Sequence, residues 1–160
     1  MLVQQTYHSP LGPITLASTK TAVVGLWFQD QRYYGARYQV DQMPIQTTAP
    51  LQQAKTWLAQ YFAGQNPNPK MVPLQPEVMP FQQRVLIALQ RVPYGTTTTY
   101  SDLAAAVSTP SARAVGNAIG HNPISLLIPC HRVLGKNGRL TGYAGGLERK
   151  RALLQLEQRS

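Results

Sequence analysis

Residues 64–80 read GQNPNPKMVPLQPEVMP and hold five of the chain's 13 prolines. Proline fixes φ at about −65° and lacks an N–H, so neither a helix interior nor a central strand can run through such a segment. The chain has to cross it extended, with its regular elements on either side. This divides the sequence into an N-terminal unit over residues 1–75 and a C-terminal unit over 76–160, each of small-domain size. No internal repeat links the two.

The first unit reads as strands followed by a helix. Ser9-Pro10-Leu11-Gly12-Pro13 is a turn signal. Ile14-Thr15-Leu16 alternates as a half-buried strand does, and Ala22 to Phe28 (AVVGLWF) is a short apolar run with the character of a buried strand. Residues 29–48 are rich in glutamine and weakly periodic, and no element is assigned to them. Leu51, Ala54, Trp57, Leu58, Tyr61 and Phe62 then recur at helical spacing, with Pro50 at the start and Gly64 as the stop.

The second unit reads as mostly helical. Pro80 opens a helix whose Phe81, Val85, Ala88, Leu89 and Val92 share a face, and Pro93-Tyr94-Gly95 ends it. Ser101 is the expected cap of a short helix to Val107. Thr109 followed by Pro110 is the expected start of the next, which runs to about Gly120. There Ala112, Val115 and Ile119 share one face, and Arg113 and Asn117 another. Two short helices joined by a tight turn form a helix-turn-helix pattern; an ordinary helical corner gives the same spacing.

Charge separates these readings. The chain carries 15 Lys+Arg and 6 Asp+Glu, a formal +9. Residues 1–80 hold 5 basic and 3 acidic side chains, and residues 81–160 hold 10 and 3, so +7 falls in the second unit. A polyanion, nucleic acid first, is the partner that such a balance suits. A 43% hydrophobic fraction supports a packed core. The single cysteine excludes an intramolecular disulfide and any zinc site built on several thiolates. No apolar window is long enough to span a membrane, and Met1 to Gln5 lack the basic start of a secretory signal. A cytoplasmic, reducing location with no metal and no cofactor is the expectation.

Chemistry concentrates in Ile124 to Arg132 (ISLLIPCHR), read as an apolar strand running into Pro129, Cys130 and His131. A cysteine behind a buried strand is ordinarily an inert core residue. Here Pro129 forces the chain to leave the sheet, and His131 and Arg132 are groups that lower a thiol pKa. Side chains at i and i+1 of an extended chain diverge, so His131 must act from a turn or through a water. The imidazole also needs an orienting group. The second unit offers Asp102, Glu148 and Glu157. Asp102 stands in the first turn of a helix, where the dipole alone favours it. Glu157 lies near a helix C-terminus, against the dipole, which suggests a partner elsewhere. Downstream, Lys136-Asn137-Gly138-Arg139 is a hairpin signal. Gly142-Tyr143-Ala144-Gly145-Gly146 is a glycine-rich loop without the order of a phosphate loop.

Taken together, Arg113-Ala114-Val115-Gly116, Asn122-Pro123, Ile128-Pro129-Cys130-His131-Arg132-Val133 and Gly142-Tyr143-Ala144-Gly145-Gly146-Leu147 resemble the O6-alkylguanine-DNA alkyltransferases, or methylated-DNA–protein-cysteine methyltransferases. The likeness is close over residues 80–160 and holds only in outline before them. It implies an α/β fold: a small ribonuclease-H-like α/β domain, then a mostly helical domain with a DNA-binding helix-turn-helix and the active cysteine. It implies a monomer that binds duplex DNA containing O6-alkylguanine through the minor groove and flips the damaged nucleotide out. The alkyl group then passes irreversibly to the thiolate, with O4-alkylthymine as a second candidate substrate.

On this resemblance Cys130 is the acceptor, His131 deprotonates it through a water, and Glu157 orients His131. Tyr100 helps rotate the target phosphate and protonates the leaving guanine. Arg113 fills the space of the flipped base, beside a groove-facing helix surface of Ala112, Asn117, Ala118 and Gly120. Asn122 is a hinge, and Val133, Tyr143, Ala144 and Gly145 form the pocket wall with Lys150 behind. Ser125 stands where some members have a second proline lining the pocket. The N-terminal zinc of some members has no thiolates here. A non-catalytic alkyltransferase-like lesion-binding protein is the alternative, but such proteins lack the acceptor cysteine. A helix-turn-helix regulator would need a dimerisation element and base-reading side chains, and a cysteine hydrolase an oxyanion hole.

Overall fold

The computed structural model describes residues 1–159. Its sheet is an antiparallel meander of β1 (Val3–Ser9), β2 (Gly12–Ser18) and β3 (Val23–Phe28). The Ser9–Gly12 turn closes on the Ser9 hydroxyl, which accepts from Leu11 N and donates to Gly12 O at 2.6 Å. Gly12 sits there at φ 116°, a backbone conformation that favours glycine.

β2 is central, and Ile14 to Ser18 are all buried, where alternation predicts one wet face. The reason lies in residues 29–48. Val40 and Met43 fold over the far face of the sheet and pack with Ala17, Val24 and Trp27. Gln4 fastens this cover by donating to Val40 O at 2.7 Å and Met43 O at 3.1 Å. The near face packs on α1 (Ala49–Phe62), where Leu51, Ala54, Trp57, Leu58 and Tyr61 are buried. Thr48 caps α1 by accepting from Leu51 N.

The proline-rich crossing makes a 3₁₀ turn at Pro69–Met71, where extended chain was expected, and its later part is stitched to the sheet. Val23 N donates to Pro73 O at 2.9 Å, and Gln75 N returns to Val23 O at 2.8 Å. Beyond it come α2 (Pro80–Gln90), β4 (Thr98–Thr99), α3 (Tyr100–Ala106), α4 (Ala112–Gly120), β5 (Val133–Leu134) and α5 (Leu147–Arg159). The buried core runs without a break from Ile14 and Leu26 through α1 to Leu89, Val115, Ile128 and Leu153.

Four local expectations change. Thr99, not Ser101, caps α3, accepting from Asp102 N at 3.1 Å, because pairing of β4 with β5 makes Thr99 the last extended residue. Ser111, not Thr109, caps α4, and Pro110 stays outside the helix. Ile124–Ile128 is not a strand. Ile124 makes one parallel bridge to Leu26, and the chain then turns through Leu126 at φ 70°. Buried Asn122 stabilises that turn: its amide donates to Ile124 O and Ile128 O, and its oxygen accepts from Ile124 N. Asn137 and Gly138 do adopt positive φ, but β5 pairs in parallel with β4, not across that turn.

Candidate active site

Pro129 ends the turn around Asn122, and the next three residues, Cys130–Arg132, form a single 3₁₀ turn. Cys130 and His131 therefore share a tight turn instead of an extended chain, and their side chains need not diverge. Cys130 is 5% exposed and borders a cavity of about 390 Å³. Tyr100, Gly116 and Asn117 line one side of that cavity, and Tyr143 and Ala144 another.

Behind the cysteine, His131 and Glu157 are buried. His131 Nε2 lies 2.5 Å from Glu157 Oε2. A carboxylate only accepts, so the Nε2 position carries the imidazole proton and Nδ1 presents its lone pair. Nδ1 is buried and has no hydrogen-bond partner among the described residues. Glu157 is heavily supported. Oε1 accepts from Arg132 Nε at 2.8 Å and Gly95 N at 3.2 Å, and Oε2 accepts from Tyr61 Oη at 2.6 Å and Arg132 at 3.2 Å.

These contacts set the charges. Burial alone would raise the Glu157 carboxyl, but the hydrogen bonds from His131 and Arg132 and the charge of the Arg132 guanidinium outweigh it and hold the group at about 2. Burial pushes the His131 imidazole down against the hydrogen bond and charge of Glu157, and the Arg132 and Lys150 cations add to the lowering, so it is a neutral base. Burial pushes the Cys130 thiol up, while hydrogen bonds from Asn122 and Ser125 and the charge of Lys150 pull against it. The thiol is thus protonated at rest, with a base adjacent in sequence. Burial likewise brings Lys150 down to about 8. Its ammonium holds the loop before α5 by donating to Thr141 O at 2.8 Å and Gly142 O at 3.3 Å.

The other residues singled out from sequence fall in three places. Ala112, Arg113 and Asn117 are exposed on α4, whereas Val115, Ala118 and Ile119 are buried. Ala112 therefore leaves the face assigned to it with Val115 and Ile119, and Ala118 is not available to a groove. Tyr100 lines the cavity, and its hydroxyl accepts from Thr141 at 3.4 Å. Val133, fully buried in β5, and Gly145 are not among the lining residues, and neither are the buried Asn122 and Lys150.

Sequence reasoning missed Tyr61, Arg32, Tyr33 and His121. Tyr33 stacks on His121 with ring centroids 4.0 Å apart, and Arg32 N donates to Ala144 O at 3.0 Å, so a loop of the first unit closes the cavity mouth. It lies in the weakly periodic stretch where no pattern marked it. The basic excess is also partly internal. Arg132 serves Glu157, Lys150 the loop, Arg84 the Val107 carbonyl, and Arg149 serves Asp30, Leu11 O and the face of Phe28.

Residues 80–159 match the family described as "6-O-methylguanine DNA methyltransferase, DNA binding domain", and residues 2–76 its "ribonuclease-like domain". A Mycobacterium tuberculosis protein named methylated-DNA–protein-cysteine methyltransferase is 43% identical over 159 residues, covering 99% of this chain and 93% of that one. The crystal structure of M. tuberculosis O6-methylguanine methyltransferase superposes with a TM-score of 0.85 at 42% identity, covering 99% and 94% of the two chains. A structure titled as M. tuberculosis OGT in complex with DNA gives 0.85 at 41% identity, covering 98% and 92%.

Proposed function

Because the chain belongs to the 6-O-methylguanine DNA methyltransferase family, we propose that it repairs alkylated DNA by moving the alkyl group of O6-alkylguanine onto Cys130 Sγ. The observation that carries this reading is the buried relay Glu157–His131 set behind a cysteine that opens on a cavity beside α4. O4-alkylthymine is the second substrate proposed.

The chemistry needs a strong nucleophile and a leaving group that gains a proton. His131 Nδ1 takes the thiol proton through one water, with Glu157 fixing the tautomer and stabilising the imidazolium. The thiolate attacks the alkyl carbon; the S–C bond forms as the C–O6 bond breaks, and the electron pair moves into guanine. Tyr100, on the cavity wall, supplies the proton that neutralises the base, and solvent restores it. The product is a thioether, whose S–C bond neither water nor a thiol cleaves under these conditions. One protein molecule is consumed per lesion.

For DNA to reach the cavity, the exposed α4 surface with Ala112 and Asn117 enters the minor groove, and Arg113 fills the place of the extruded nucleotide. In this reading residues 76–160 bind DNA and carry the thiol, residues 1–75 support them, and the protein acts as a monomer in a reducing compartment. Asn122 ties α4 to the cysteine turn. Tyr143 and Ala144 shape the pocket side, and Lys150 holds the Thr141 and Gly142 carbonyls of the loop that carries them.

The test is direct. The protein is mixed with a duplex oligonucleotide carrying O6-methylguanine, and the adduct is mapped by mass spectrometry. One methyl per molecule on Cys130 is expected, with none on Cys130→Ala, which still binds the duplex. Methyl transfer by Cys130→Ala, or a methyl on another residue, overturns the assignment.

A further inference from the structure

One group in direct contact with the relay comes from the other half of the chain. Tyr61 is fully buried on α1, in the N-terminal unit. Its ring stacks on Trp57 at 5.0 Å and meets Tyr94 edge-on at 6.2 Å. Its hydroxyl donates to Glu157 Oε2 at 2.6 Å and lies 3.4 Å from His131 Nε2. We infer that Tyr61 is a positioning residue for alkyl transfer, through which the N-terminal unit sets the strength of the His131 base. The inference rests on the reading of Cys130 as acceptor.

Core packing alone does not explain the hydroxyl. The ring contacts with Trp57 and Tyr94 would be met by phenylalanine. The buried carboxylate does not depend on Tyr61 for support either, since Arg132 reaches both its oxygens and Gly95 N takes one of them. What Tyr61 adds is a donor on the same oxygen that receives the His131 proton. Sharing Oε2 draws negative charge away from the imidazole and weakens the stabilisation of imidazolium. It thereby keeps His131 neutral and ready to accept the thiol proton. The other ionisable groups near the pair are Arg132 and Cys130 on the 3₁₀ turn, Tyr94 after α2, Tyr143 before α5 and Lys150 on α5.

The variant Tyr61→Phe removes the oxygen and keeps the ring. With one donor fewer on Oε2, imidazolium becomes more stable, and protonated His131 cannot take the thiol proton. The midpoint of the acid limb of the transfer rate should therefore rise by about half a pH unit or more. The single-turnover rate should fall about threefold or more well below that midpoint and by less than about twofold at neutral pH, with duplex affinity unchanged within about twofold.

The experiment measures single-turnover methyl transfer from duplex O6-methylguanine against pH for the wild type, Tyr61→Phe, Glu157→Gln and the double variant. Tyr61→Phe should add little to Glu157→Gln, because it acts through that carboxylate. A wild-type pH midpoint in Tyr61→Phe, or losses that multiply fully in the double variant, overturns the inference; a lowered rate at an unmoved midpoint is the signature of a structural role and does the same. The wild-type arm separates the two failures: absence of methyl on its Cys130 overturns the acceptor reading, while normal wild-type transfer with an unaffected Tyr61→Phe overturns only the role of Tyr61.

Discussion

Replacing Glu157 by glutamine removes one charge and the acceptor that His131 and Arg132 share. The carboxyl is held at about 2 against an ordinary 4.5, which corresponds to roughly 3 kcal/mol of folded-state preference for the carboxylate. The shift is downward, so this stability is fully present above pH 4.5 and is lost as pH falls toward 2. Glu157→Gln should therefore be less stable than the wild type by roughly 3 kcal/mol at pH 7. At pH 3 the gap should narrow to less than half of that, because the unfolded wild-type carboxyl is then largely protonated while the folded one is not. The hydrogen bond and charge of buried Arg132 are part of the folded-state preference for the carboxylate, not an addition to it.

Urea unfolding of both proteins at pH 7 and pH 3, with DNA absent, measures the two gaps. In parallel, single-turnover transfer should slow by about 10² or more, since an amide can present its NH₂ to His131 and favour the wrong tautomer. Duplex affinity should stay within about twofold, because Glu157 is buried and offers no surface to DNA. A stability gap equal at both pH values would refute the charge assignment, and an unchanged transfer rate would refute the relay.

Three further outcomes are expected. Asn122→Ala strips three hydrogen bonds from residues 124–128 and should cost about 2–4 kcal/mol in urea unfolding, with Cys130 alkylated faster by iodoacetamide. Arg113→Ala, exposed on α4, should leave the unfolding midpoint unchanged and slow transfer from duplex DNA at least about tenfold, while reaction with a free O6-alkylguanine base is unaffected. Duplex binding should weaken with salt at a log–log slope shallower than about −5, since four of the ten basic residues in the second half are engaged internally; fluorescence anisotropy across a salt series gives the slope, and a steeper one shows that those groups turn outward.

Several elements could be read from the chain because their signals are local. α1 and α2 combine helical spacing with a proline in the first turn, and β3 is an apolar run. β1 carries Gln4, Gln5 and Thr6, and only its pairing with β2 and its bonds to Val40 and Met43 make it a strand. The caps of α3 and α4 slipped for a related reason. Thr96 to Thr99 and Ser101, like Ser108, Thr109 and Ser111, are neighbouring hydroxyls of similar capping preference. The choice falls to tertiary pairing, here of Thr98 and Thr99 with Val133 and Leu134.

The site follows the same division. Cys130 and His131 are adjacent, and Glu157 stands out because a carboxylate at a helix C-terminus opposes the dipole. Tyr61 lies 96 residues from Glu157, and its place in the stripe of Leu51, Ala54, Trp57 and Leu58 is already explained by its ring. Periodicity accounts for the body of an amphipathic residue and leaves its polar tip unassigned. A tyrosine in a buried stripe therefore poses a question that a phenylalanine does not, because its hydroxyl must find a partner in the interior. In this chain the partner is the carboxylate that also receives the His131 proton, so a residue placed by hydrophobic spacing ends within reach of the base.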